Sequence, residues 1–241
     1  MIELQDVSFS YDGVPALSHI DLRIRRGESV AFIGPIGSGK STLLKVVNGI
    51  VLPDSGRYLF AGEEVNRKRL REEGFGRRMH QRIGFLFQNA DAQLFCPEVH
   101  DEVAFGPRQL DLDEAGVGER VTDCLQLLGI THLEHRAPHH LSEGEKRCVA
   151  LASVLALNPQ VLALDEPMNG LDPRTKRLMR EVIRSLADAG KTILCSTHDF
   201  AYVEGLFSRA IVISGDHTIA RDDEYRAVLA DRAFLEHLDI E

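Results

Sequence analysis

Gly34-Pro35-Ile36-Gly37-Ser38-Gly39-Lys40-Ser41-Thr42 has the residue types and spacing of a phosphate cradle. Glycines at 34, 37 and 39 let the backbone wrap closely, so that successive N–H groups point inward at an anion. Lys40 supplies a cation for β- and γ-phosphates, and Ser41 supplies a hydroxyl for Mg²⁺. The bland alternative is a glycine-rich turn that happens to carry a lysine. The flanks argue against it. Ser29-Val30-Ala31-Phe32-Ile33 is an apolar run of the kind buried on both faces of a sheet, and Leu43-Leu44-Lys45-Val46-Val47 suits a helix. That helix adds its positive dipole end to the cradle.

A second chemical pattern follows an apolar run, Val161-Leu162-Ala163-Leu164, which ends in Asp165-Glu166. Carboxylates at the edge of a buried strand are costly unless a cation or ligand meets them. Mg²⁺ opposite the phosphate loop is such a cation, held by Asp165 directly or through water, with Glu166 placed to polarise an attacking water. A pair of capping acids at a loop start is the competing reading. Thr192-Ile193-Leu194-Cys195-Ser196 repeats the pattern and delivers His198 to the same edge. Ile83-Gly84-Phe85-Leu86-Phe87 delivers Gln88 at a strand's carboxyl end, where α/β sheets place ligand contacts.

The remaining elements must position these groups. Ile2 to Phe9 alternates as a half-buried strand does, Tyr11-Asp12-Gly13 turns the chain, and Val14 to Ile24 supplies a second strand, antiparallel to the first. Tyr11, ahead of the loop, is a candidate platform for a purine ring. The basic stretch from Asn66 to Arg82 reads as a solvated surface helix or loop, with anionic lipid or a partner as the other possibility. From Asn89 to Leu157 the pattern is helical, an inserted lobe. His132, His135, His139 and His140 lie in it, but Pro138 breaks any helix that would align them on a metal. Ser142-Glu143-Gly144-Glu145 has the form of a capping box ahead of the apolar run from Cys148 to Leu157. Ala210 to Ser214 reads as a strand and Glu224 to Leu238 as a helix.

At 241 residues the chain suits one large α/β domain with a lobe, or two small domains. A formal charge of −9 argues against nucleic acid as a partner. No apolar run approaches the roughly 20 residues needed to cross a bilayer, and the N-terminus lacks the pattern of a signal peptide. The expectation is a chain that stays in the cytoplasm. Cys96, Cys124, Cys148 and Cys195 are far apart with no C-x-x-C pair, as reduced packing thiols are.

These residues, in this order, identify a resemblance to the ATP-binding cassette ATPases over the whole chain. The phosphate loop comes first, Gln88 stands as the Q-loop residue and Leu141-Ser142-Glu143-Gly144-Glu145 takes the place of the family signature. Leu164-Asp165-Glu166, Gly170-Leu171-Asp172 as the D-loop and His198 as the switch histidine complete the set. The resemblance implies an α/β fold: a P-loop NTPase cassette with a mixed sheet core, an N-terminal antiparallel β-subdomain and a helical lobe at about 89–157. All of it would be one nucleotide-binding domain, 1–241. It implies ATP and Mg²⁺ as ligands, with Glu166, His198 and Gln88 catalytic and Ser41, Gln88 and Asp165 at the metal. Two such domains close head-to-tail in that family, so Ser142, Gly144 and Asp172 would serve the ATP held by a second subunit, for which a homodimer is favoured.

A narrower likeness lies in Phe87-Gln88-Asn89-Ala90-Asp91-Ala92-Gln93-Leu94-Phe95 with Asp101-Glu102-Val103-Ala104-Phe105-Gly106-Pro107. It resembles the energy-coupling-factor branch, the ATPases of bacterial importers of cobalt, nickel and vitamins. That likeness implies a peripheral subunit on the cytoplasmic face of the membrane, gripping a transmembrane coupling subunit through Gln88–Phe95 and Asp101-Glu102. The missing longer C-terminal extension of the vitamin-type ATPases favours a dedicated cobalt or nickel system. A vitamin importer or an exporter would share every nucleotide motif. A soluble clamp fits less well, since such proteins insert a long coiled coil or join two cassettes. Two positions depart from the family: Ile36 replaces the usual Asn, and Glu143 replaces the first Gly of the signature. A carboxylate near a triphosphate is repelled, so Glu143 is expected to turn outward, held by Lys146 or Arg147.

Overall fold

The computed structural model describes residues 1–72, 74–110 and 112–240. Alternating side chains make Ile2–Tyr11 (β1) a strand with one buried face, carrying Ile2, Leu4, Val7 and Phe9. The chain turns at Asp12-Gly13, both at positive φ, and returns antiparallel as Val14–Ile24 (β2). Ser29–Ile33 (β3) follows, then the helix Lys40–Asn48 (α1). Ser55–Phe60 (β4) and Glu63–Glu64 (β5) complete an antiparallel sheet in the order β2-β1-β4-β5. The N-terminal subdomain therefore has four strands, two of them drawn from beyond the phosphate loop, where the sequence reading found only two.

The basic stretch forms two short helices, Arg67–Arg71 (α2) and Phe75–Arg82 (α3). Arg69 pairs there with Glu63 at 2.6 Å and Glu72 at 2.7 Å, as a solvated surface would arrange it. Ile83–Leu86 (β6) leads into the lobe, whose helices are Val99–Arg108 (α4), Glu114–Leu127 (α5) and Glu143–Leu155 (α6). Val161–Asp165 (β7), Pro173–Asp188 (α7), Thr192–Ser196 (β8) and the short Phe200–Val203 (α8) come next. Arg209–Ile213 (β9), Ile219–Glu224 (β10), Tyr225–Ala230 (α9) and Arg232–His237 (α10) end the described chain.

Six strands form the second sheet, in the order β10-β9-β3-β8-β7-β6, with every pairing parallel except that of β10 with β9. Strands β9, β3, β8, β7 and β6 are buried on both faces and so divide the interior in two. Val30 and Phe32 pack toward the antiparallel sheet and α1, whereas Ala31 and Ile33 pack toward α4, α5, α6, α7 and α9. Each such fully buried large side chain contributes roughly 1.5–3 kcal/mol of transfer free energy. Helix α7, which periodicity had left unread, buries Met179, Val182 and Ile183 on one stripe.

The C-terminal end differs from its expectation. Glu224 belongs to β10, an exposed acidic edge strand that pairs with β9, and the helix predicted to reach Leu238 is broken in two. Asp231 breaks it: its carboxylate accepts the Phe234 N–H at 3.2 Å and caps α10. The lobe histidines 132, 135, 139 and 140 are exposed, and among the described residues no group of three His, Cys, Asp or Glu is placed to hold a metal. All four cysteines are free thiols.

The phosphate loop is wedged between strands. A Cβ on Gly39, at φ 106°, would stand 2.1 Å from the Ala16 carbonyl oxygen of β2, and one on Gly34 would stand 2.2 Å from that of Ile213 in β9. Gly37, at φ 84°, has no atom within 4 Å of its Cβ direction. Gly39→Ala is thus expected to cost about 3 kcal/mol or more because backbone must move, while Gly37→Ala costs only the left-handed strain of about 1–2 kcal/mol. Denaturant unfolding of the two variants checks the order; equal losses would mean that contact with β2 is not what demands glycine.

Candidate functional site

Strands β3, β7 and β8 lie side by side, so the segments that follow them come together at one sheet edge. Lys40 opens α1 and folds back over its own loop, donating to Gly34 O at 2.7 Å, Pro35 O at 2.8 Å and Ser38 Oγ at 3.4 Å. Burial lowers its pKa from the ordinary lysine value, opposed by the nearby charges of Glu166 and Asp165. Ser38 is itself buried, and its carbonyl lies 3.3 Å from Nδ1 of His217 in the turn between β9 and β10. Thr42 is buried in the first turn of α1, whereas Ile36 at the loop's tip is fully exposed. The Ile36 side chain therefore points away from the backbone that forms the cradle.

The acids that end β7 are organised by hydroxyls. Asp165, 4% exposed, accepts from Ser41 Oγ and from Ser196 Oγ, both at 2.7 Å on Oδ1. Glu166 sits at φ 48°, a left-handed conformation costing a non-glycine residue roughly 1–2 kcal/mol. Its N–H donates to Ser196 Oγ at 3.0 Å and Ser196 O at 3.2 Å, which hold it there. The turn brings its carboxylate to His198, with Nδ1 2.8 Å from Oε1. Ser196 escaped the sequence reading because it looked like the last residue of a buried strand. The available signal was register: β7 and β8 pair in parallel with Asp165 opposite Ser196.

Gln88 is exposed two residues past β6, and the segment around it is fixed from both sides. Gln93 Oε1 accepts the Phe87 N–H at 3.1 Å, and Arg147 Nη1 donates to Phe87 O at 2.9 Å. Tyr11 stands at the end of β1, 43% exposed and edge-on to Phe9 at 4.8 Å, in the hairpin whose Ala16 carbonyl abuts Gly39.

Ser142, Gly144 and Asp172 form a separate group. Ser142 Oγ accepts the Glu145 N–H at 3.4 Å, while Glu145 Oε2 accepts from Ser142 N–H at 2.8 Å and from its hydroxyl at 2.7 Å. Those bonds hold the Glu145 carboxyl below the usual carboxylate range. Gly144 lies against Thr175 and Asp172, and Asp172 caps α7 through the N–H groups of Arg174 at 2.9 Å and Thr175 at 3.2 Å. Among the described residues no hydrogen bond or ion pair joins this group to the phosphate loop. Glu143 is half exposed and leans 3.6 Å from Arg147 Nη2, so Arg147 holds it, while Lys146 pairs instead with Asp91 at 2.7 Å.

The expected contact through Asp101-Glu102 needs correction. Glu102 is buried, 3% exposed, and its carboxylate accepts the N–H groups of Phe95 at 2.9 Å and Cys96 at 2.7 Å. It therefore holds the loop before α4 and is not available to a partner. Asp101 is paired with Arg108 at 3.0 Å and Asp91 with Lys146. Apolar surface dominates here: Phe95 is 67% and Phe105 47% exposed, their rings in edge contact at 4.9 Å.

The model of the family described as ABC transporter matches residues 17–169. The nickel import ATP-binding protein LarO of Lactiplantibacillus plantarum is 43% identical over 222 residues, 92% of each chain. The energy-coupling factor transporter ATP-binding protein EcfA of Methanothermobacter thermautotrophicus is 44% identical over 221 residues, 91% of this chain and 70% of that one. Among solved structures, cbiO1 of Clostridium perfringens, part of the ABC transporter complex cbiONQ, superposes with a TM-score of 0.82 at 33% identity. It covers 100% of this chain and 94% of its own.

Ser196→Ala removes one of the two hydroxyls on Asp165 and a bond that holds Glu166. Steady-state kinetics of the variant are expected to show kcat for ATP hydrolysis down by about ten- to a hundredfold with KM within about threefold of the parent. An unchanged kcat would relieve Ser196 of any part in placing Glu166.

Proposed function

We propose, from the premise that this chain belongs to the ABC transporter family of ATP-binding subunits, that it powers import of nickel or cobalt ions as the ATPase of an energy-coupling-factor system. The observation that carries the chemistry is the convergence at one sheet edge of Lys40, the Ser41–Asp165 bond and the Glu166–His198 contact. The metal specificity draws on the similarity to a relative named for nickel import.

In this reading the loop from Gly34 to Thr42 cradles the phosphates of ATP and Tyr11 supports its base. Lys40 exchanges its bonds to the Gly34 and Pro35 carbonyls for phosphate oxygens. Asp165 and Ser41 present oxygen donors of the hard type that Mg²⁺ takes, with Gln88 reaching the same ion. Bound there, the metal would neutralise charge developing on the phosphates. Glu166 polarises the attacking water, and His198 orients the Glu166 carboxylate. One protomer holds two half-sites, because Ser142 and Gly144 lie with Asp172 and apart from the loop. A second copy in head-to-tail contact completes each site, with the N-terminus of α6 directed at the phosphates bound by the other. The lean of Glu143 toward Arg147 keeps that approach open. The whole span 1–241 acts as one nucleotide-binding domain.

No helix among the described residues is long and apolar enough to cross a membrane, so attachment at the cytoplasmic face must come through a surface. The groove of about 370 Å³ between β6, α4 and α6, with Phe95 and Phe105 at its mouth, suits an apolar helix of a transmembrane partner. Phe95→Asp with Phe105→Asp is expected to release that subunit from detergent-solubilised complexes while the free chain keeps its basal ATPase activity. A double variant that still co-purifies would move the contact elsewhere.

Glu166→Gln is expected to abolish turnover, retain ATP and trap a dimer visible by size-exclusion chromatography. In cells co-expressing this chain with its membrane subunits, the same change should stop accumulation of radioactive nickel or cobalt. Normal hydrolysis by Glu166→Gln would sink the catalytic assignment. Uptake of a vitamin, or export, in place of either metal would sink the cargo while leaving the ATPase chemistry intact.

A further inference from the structure

Helix α7 carries Arg177, Arg180 and Arg184 at spacing i, i+3 and i+7, which puts them on one face. Arg226, in the first turn of α9, meets them across an open surface pocket of about 460 Å³ bordered by Tyr202 and the Glu204-Gly205 turn after α8. Among the described residues the side chains of Arg177, Arg184 and Arg226 make no hydrogen bond or ion pair, nor does the carboxylate of Glu204. Arg180 donates Nη2 to the Glu204 carbonyl at 2.7 Å, and its Nε is buried without a partner. Four guanidinium groups share this pocket with a single carboxylate, that of Glu204, so their mutual repulsion is only partly offset and a further anion would relieve it.

Scarcity of carboxylates does not explain the cluster. The chain has 37 acidic residues against 28 basic, and elsewhere it pairs arginines doubly: Arg69 with Glu63 and Glu72, Arg209 with Glu28 and Asp222, Arg221 with Asp223 and Asp231. The guanidinium fork matches two oxygens of a phosphate, and several forks around one cavity suit an anion with more than one such group. We infer that this pocket is a second anion site, distinct from the phosphate loop, for a small polyanion of the di- or polyphosphate class. A soluble ligand fits better than a lipid headgroup. The pocket lies between α7 and α9, which pack on β8 and β9, whereas the apolar groove that would face a membrane protein lies at β6, an edge of the sheet. The site also abuts the segment that follows His198: Lys176, one residue before Arg177, binds Asp199 at 2.6 Å. Occupancy would fasten α7 to α8 just behind that histidine.

Pyrophosphate without divalent metal is the probe, titrated calorimetrically at low salt into the full chain carrying Lys40→Ala, which weakens the phosphate loop. One site per chain is expected to remain, to weaken with added salt, and to lose about tenfold or more in affinity in Arg177→Glu with Arg184→Glu. Arg226→Ala is the milder variant should the double reversal unfold, and it is expected to lose affinity severalfold with an unchanged melting temperature. Failure to bind pyrophosphate beyond the phosphate loop, or residual binding indifferent to these arginines, would overturn the inference. A parallel sedimentation with phosphatidylglycerol vesicles separates the two sources of phosphate: arginine-dependent vesicle binding without pyrophosphate binding would replace the soluble ligand with a headgroup.

Discussion

One oxygen, Asp165 Oδ1, accepts hydroxyls from Ser41 in α1 and Ser196 in β8 while its own residue ends β7. Three elements remote in sequence are thereby fixed to each other within a single carboxylate's reach. A buried carboxylate is tolerated only when its lone pairs are used, and here the groups that use them are the ones the chemistry needs nearby. Ser41 is held at the end of the cradle, in the first turn of α1, and Ser196 in turn holds Glu166 in its left-handed turn. Lys40 and Glu166 owe their common edge to this contact and to the parallel order of β3, β8 and β7.

Much of this was legible in the residues. Continuous apolar runs at 29–33, 83–86, 161–164 and 192–196 became parallel strands because a strand covered on both faces tolerates nothing else, and the groups at their carboxyl ends followed. The capping box at Ser142 and Glu145 was readable because its bonds are local. What escaped depends on contacts distant in sequence. Strand β10, Ile219–Glu224, is too acidic to look like a strand and exists because β9 offers it hydrogen bonds. Glu102 resembled a surface acid, yet the N–H groups of Phe95 and Cys96 draw it inside. Asp91 and Asp101 kept their exposure but acquired cationic partners that spacing alone does not reveal.

The phosphate loop carries a different kind of constraint, one of exclusion. Carbonyl oxygens of Ala16 and Ile213 press on Gly39 and Gly34 from the two flanking strands, so the cradle's shape is imposed from outside as well as by its own turns. The fold's two cores meet at the same strands, which ties the geometry of the loop to the packing of both.

Arg147 has a mechanical meaning beyond its pairing with Glu143. Its side chain is nearly inaccessible and spans from the first turns of α6 to the carbonyl of Phe87, the residue before Gln88. One hydrogen bond from a buried side chain therefore ties the position of the stretch beside the Phe95–Phe105 groove to the start of α6. If membrane partner and second protomer engage those two places, each would feel the other's position through one guanidinium, as loads are felt through a connecting rod.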